Sequence, residues 1–123
     1  MKVAITSSDQ TKISGKADDC LKYWIYTIEN KVVVDKKYIQ LGEGQNLYNI
    51  FVDRAVEIFV HPIFEVDMLL TNDISTLVTT RLKEKRTVAF IIDETDFETV
   101  ITQLIAGTLQ GYMAEEQHNN CGH

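Results

Sequence analysis

The residues best suited to chemistry crowd at the C-terminal end. His118, Cys121 and His123 lie within six positions, spaced His-x-x-Cys-x-His. Imidazole and thiolate are the side chains that hold zinc, copper, nickel and iron–sulfur centres. Three such ligands are fewer than the four of a closed structural zinc site. The pattern therefore suits loose or transient capture, or ligation completed by a partner. Cys20 is the other thiol. It stands just before an aromatic strand and reads either as a small buried apolar residue or as a second thiolate at the mouth of the sheet. His61 precedes Pro62, where a histidine serves a helix end or a backbone bond more readily than a metal. Asp18-Asp19, Asp73 and Asp93-Glu94 would be the carboxylates for two-metal phosphoryl transfer. Each, however, falls in a turn or at a helix start, where acidic residues serve as caps. No nucleophile pairs with a base, and neither a Walker-type loop nor a Gly-x-Gly-x-x-Gly pattern is present, so these residues support no catalytic arrangement.

The elements that must position these groups are legible from periodicity. From Val66 to Leu109 the chain reads strand, turn, helix, strand, turn, helix. One apolar run (Val66 to Thr71) ends at Asn72-Asp73-Ile74-Ser75, which opens a helix closing on the basic stretch Arg81 to Arg86. A second run (Thr87 to Ile92) leads to Asp93-Glu94-Thr95-Asp96 and a helix ending at Gly107. Strands alternating with helices of this length predict parallel pairing, with ligands gathering at the carboxyl ends of the strands. Upstream, Lys2 to Thr6 reads as a short buried strand. Lys22 to Glu29 and Lys31 to Leu41 read as a hairpin about Asn30-Lys31. Asn46 is placed to cap a helix whose apolar face is Leu47, Ile50, Phe51, Ala55, Ile58 and Phe59. The sum is an α/β domain over 1–110 with a five-stranded mixed sheet flanked by helices. From Gly111 the chain turns polar and reads as a flexible tail, 111–123.

Composition narrows the function further. A chain of 123 residues fits one domain and can bury a sizeable core without disulfides. The net charge of −6 argues against a broad nucleic-acid footprint, which needs clustered Lys and Arg. Arg81, Lys83, Lys85 and Arg86 sit in the last turn of a helix, where cations favour the dipole. The opening Met1-Lys2 runs straight into a strand rather than a secretory leader, and no apolar run approaches a membrane span. With two cysteines, the expectation is a cytoplasmic protein with free thiols.

The residues also resemble a known family, the dinitrogenase iron–molybdenum cofactor biosynthesis domain (NifX/NafY/NifB-C-terminal type). The likeness runs from Met1 to about Leu109. Met-Lys-Val-Ala-Ile-Thr-Ser-Ser-Asp looks like the family's first strand. Ile13-Ser14-Gly15 followed by Tyr23 to Glu29 looks like its loop and second strand. Ile63 to Leu70 is similar to its strand after the first helix. Glu94 to Glu98, continuing to Ala106-Gly107-Thr108-Leu109, is similar to its closing helix. Cys121-Gly122-His123 looks like the His- or Cys-rich tails its members often carry.

The resemblance implies a ribonuclease-H-like fold and a non-enzymatic role: binding or carrying an iron–sulfur or iron–molybdenum-type cluster or a transition-metal ion, exchanged with metal donor and acceptor proteins. It makes Asn72 and Asp73 the cofactor-contacting positions, with Cys20 beside them. Two motifs depart from the family pattern. Lys16-Ala17-Asp18-Asp19 replaces its His-Phe-Gly-Arg, and Asn72-Asp73-Ile74-Ser75 replaces its glycine-rich turn. Glycine there would let backbone approach an anionic cluster, whereas Asp73 brings negative charge. The metal ligands expected are therefore His118, Cys121 and His123. The alternative is a diverged protein-interaction domain without a cofactor. A magnesium-dependent nuclease rests on the fold alone.

Overall fold

Val3, Ala4 and Ile5 are fully buried, and that alone requires their strand to run through the middle of a sheet. In the computed structural model, which describes residues 1–7, 12–13, 15–52 and 61–116, strand β1 (Lys2–Ser7) does so. It pairs antiparallel with β2 (Lys22–Glu29) and parallel with β4 (Met68–Thr71). β2 turns into β3 (Val32–Gln40), and β4 pairs parallel with β5 (Val88–Ile91). The hairpin turn is Asn30-Lys31, both with positive φ (51° and 65°), as a two-residue turn matched to strand twist requires.

The sheet has six strands rather than the five expected, in the order β3-β2-β1-β4-β5-β6. The added strand, β6 (Tyr112–Met113), pairs antiparallel with β5 inside the stretch expected to be flexible tail. Its side chains are exposed, so no apolar alternation betrays it. Gly111 makes the pairing possible: a Cβ there would stand 2.6 Å from the Ile91 carbonyl oxygen. Ala114 follows, buried and bonded through its N–H to the Ala89 carbonyl.

Side chains alternate across the sheet into two cores. One holds Ala4, Tyr23, Leu69 and Ala89 beneath Leu47 of α1 (described over Leu47–Val52) and Val78 and Leu82 of α2 (Thr76–Glu84). The other holds Val3, Ile5, Tyr26 and Leu70 beneath Phe97, Val100 and Ile101 of α3 (Phe97–Ala106). Ala55, Ile58 and Phe59, expected to extend the face of α1, lie outside the described residues. The helix ends are those the sequence predicts. Ser75 caps α2, Asp96 caps α3, and Gly107 closes α3 in the left-handed region at φ 77°. Among the described residues no helix is long and apolar enough to cross a membrane.

Pro62 stands ahead of β4 rather than inside a strand. It starts a 3-10 turn, Pro62–Glu65, capped by His61, whose Nδ1 accepts the Ile63 N–H at 3.0 Å. His61 is fully buried. Tyr23 meets it edge-on at 5.5 Å between ring centroids, and Phe64 lies at 5.8 Å. Burial holds its pKa down at about 4, against an ordinary value of 6.5. It is thus a neutral core side chain acting as a cap.

Candidate functional site

Parallel strands β1, β4 and β5 end together at Ser7, Thr71 and Ile91, so their carboxyl edge collects the loops that follow them. The loop after β1 is stitched to the turn after β4. Ala17 donates its N–H to the Asp73 carbonyl at 2.8 Å, and Lys16 and Asp73 form a parallel bridge. Thr71 Oγ1 reaches the carbonyls of Asp73 (3.0 Å) and Gly15 (3.4 Å), and Thr6 Oγ1 donates to it from β1. These threonines are fully buried. Each supplies a hydroxyl where the diverging backbones leave polar groups that need partners.

The start of α2 is the natural anion site of this edge, because its first N–H groups have no partner within the helix. Here acidic side chains take two N–H groups at and just ahead of the cap. Asp73 Oδ1 accepts the Ile74 N–H at 2.9 Å, and Asp18 Oδ1 accepts the Ser75 N–H at 2.8 Å. Ser75 Oγ accepts the Val78 N–H. Asp18 is buried, held from behind by its own carbonyl, which accepts the Tyr48 N–H of α1. Asn72 is committed elsewhere: its side-chain amide donates to the Ile92 carbonyl at 2.8 Å. The turn therefore does not fit an anionic cluster. Two carboxylates already hold the N–H groups of Ile74 and Ser75 and set negative charge beside the helix start.

Cys20 lies on the same edge, half-buried in a cleft of about 260 Å³ lined by Ser7, Gly15, Lys16, Asp19, Leu21 and Lys22. Its thiol donates to the carbonyls of Lys22 (2.9 Å) and Ser7 (3.3 Å). Burial pushes the thiol's pKa up, so it rests protonated.

The structure thus brings Cys20, Asn72 and Asp73 to one edge of the sheet. His118, Cys121 and His123 lie outside the described residues. Asp18, Asp19, Asp73, Asp93 and Glu94 do not assemble as a carboxylate set for two metals: among the described residues no group of three or more His, Cys, Asp or Glu is arranged to hold a metal ion. Glu94 instead accepts the N–H groups of Thr95 and Asp96 ahead of α3. The link between Asp18 and Ser75 spans 57 positions, and no local signal predicts it.

No known family profile matches the chain, and no curated protein matches it. Solved structures do match. A dinitrogenase candidate from Methanocaldococcus jannaschii is 23% identical, over 90% of this chain and 93% of that one, with a TM-score of 0.63. A protein designated PH0822 is 15% identical, over 90% and 94%, with a TM-score of 0.70. A NifB candidate from Thermotoga, of the DUF35 family, is 13% identical, over 96% and 98%, with a TM-score of 0.61. The mixed α/β fold is shared along nearly the full length of each.

Proposed function

We propose that this chain binds and carries a metal cargo, without catalysing a reaction on it. The cargo is a transition-metal ion or an iron–sulfur or iron–molybdenum-type cluster, passed between donor and acceptor proteins in metallocofactor assembly. The observation that carries this reading is where the soft ligands stand. One thiol, Cys20, opens into a cleft at the ligand edge of a fold shared with a dinitrogenase candidate and a NifB candidate. The others, His118, Cys121 and His123, follow the last described residue, Glu116, in the chain. No three-ligand group exists among the described residues, so a complete set draws on residues beyond them. The carboxylates at the start of α2 favour a cationic cargo, or a cluster held through sulfur and imidazole, over an anionic cluster docked on backbone N–H groups.

The test compares the full chain with one ending after Glu116, a boundary that keeps β6 and the 2.6 Å ion pair between Lys83 and Glu116. Zinc titration and anaerobic reconstitution with iron and sulfide are run on both. The full chain binds and the shortened chain does not, while Cys20→Ser weakens binding in the full chain. Equal binding by both chains removes the tail from the mechanism, and binding by neither refutes the proposal.

A further inference from the structure

Strand β3 is at odds with its surroundings. It is the first strand of the sheet, so its outer edge carries no strand among the described residues. From Lys31 to Lys37 every residue is exposed, which leaves that stretch uncovered on both faces. Yet it contains three successive valines, Val32, Val33 and Val34, at 57%, 37% and 54% exposure. Val34 is the extra residue at a bulge and has no partner in the β2 register. A long apolar edge of this kind is a template for another strand.

The sequence of the strand says which strand that is. Read against itself in the antiparallel sense about Lys36, Val34–Tyr38 is self-complementary. Val34 faces Tyr38 and Asp35 faces Lys37 of the second copy, and the same two pairs recur on the other side of the axis, while the bulge ends the match before Val33. Apolar residues meet apolar ones, and two opposite-charge pairs form. Asp35, Lys37 and Ile39 line one cleft on a single face of the sheet, so these two ion pairs would share that face. The only like pair is Lys36 with itself. Its ammonium is already turned back over its own sheet, 4.4 Å from the Trp24 ring centroid and 5.5 Å from that of Tyr26. Against an unrelated strand, the Asp35-Lys36-Lys37 block would deter pairing. Against its own copy it sets the register.

We infer that β3 is a dimer interface, where two copies of this chain pair antiparallel about Lys36 to join their sheets into one. The contact is isologous and therefore closes at two copies. This inference does not depend on the metal cargo: the interface is the margin of the sheet opposite β6.

Analytical ultracentrifugation from about one to several hundred micromolar tests it. Chelator and reductant are present, so that neither metal bridges nor disulfides hold copies together. The expected species has twice the 14.0 kDa chain mass. Asp35→Lys alone, or Lys37→Asp alone, turns two attractive pairs into repulsive ones and weakens the dimer about tenfold. The double exchange restores wild-type affinity. Mixing the two single variants gives a dimer tighter than either forms by itself. Circular dichroism melts check that each variant is folded. If a variant fails that check, concentration-dependent hydrogen-exchange protection of the β3 amides in the wild-type chain decides the matter. A wild-type chain that stays monomeric throughout overturns the inference. So does a dimer indifferent to the single exchanges or not restored by the double one, or β3 amides whose protection is independent of concentration.

Discussion

Acid should destabilise this fold through one identifiable side chain. His61 is fully buried between Tyr23 and Phe64, and its pKa falls from 6.5 to about 4. The unfolded chain then binds a proton in the window between those values and the folded chain does not. Stability from this residue is therefore complete above pH 6.5 and declines as the pH falls toward 4. Linkage puts the loss at about 2 kcal/mol by pH 5 and about 3 kcal/mol by pH 4. Against a total of roughly 5–15 kcal/mol for a domain, that is a large share. The comparison is His61→Asn, whose amide oxygen can still accept the Ile63 N–H but cannot titrate. Urea unfolding of both chains across this range isolates the effect, because carboxylates and the remaining histidines cancel in the difference. The variant should be less stable at neutral pH, having lost ring contacts, and the gap should narrow by about 2 kcal/mol at pH 5. A gap that does not change with pH, or an NMR titration placing the His61 midpoint near 6.5, would refute the reasoning.

Four further outcomes follow from the site and its supports. Asp18→Ala removes a buried carboxylate from the Ser75 N–H and should cost about 1–3 kcal/mol in urea unfolding. Ser75→Ala, which deletes the cap of α2, should cost about 1 kcal/mol. Gly111→Ala forces a Cβ against the Ile91 carbonyl. It should release β6, seen as faster hydrogen exchange at Met113 and Ala114 with the exchange of β1 unchanged. Because burial raises its thiol pKa, Cys20 should react with iodoacetamide near pH 8 more slowly than an unfolded-chain cysteine. Equal rates would show that the cleft leaves it as a solvated thiol.

What the sequence makes legible is what local chemistry determines. Ser75, Asp96 and Gly107 mark helix ends because capping involves residues three or four apart. Asn30-Lys31 marks the hairpin because two left-handed residues between apolar runs admit few alternatives. Strand β6 was hidden for the opposite reason. Its two residues are exposed, and its place beside β5 depends on the missing Cβ of Gly111 rather than on any pattern. The same holds for the ligand edge. Asn72, Asp73 and Cys20 can be placed there because strand order puts them there. That Asp18 reaches Ser75 across 57 positions emerges only after the loop behind β1 has docked.

That docking changes the meaning of the acidic residues. Read along the chain, Asp18 and Asp73 are two turn acids with no evident link. In the folded edge they act as a pair, each carboxylate taking one N–H at the start of α2. A helix N-terminus stabilises negative charge whether it arrives on a ligand or on the protein. By supplying the charge internally, the chain secures the loop carrying Cys20 to the turn carrying Asp73, and its hydrogen bonds no longer depend on a bound anion. A site built this way is ordered before any cargo arrives, with a thiol at its rim and negative charge behind it. Under the function proposed above, that combination would disfavour an anionic cluster resting on backbone and suit a cation delivered to sulfur and imidazole.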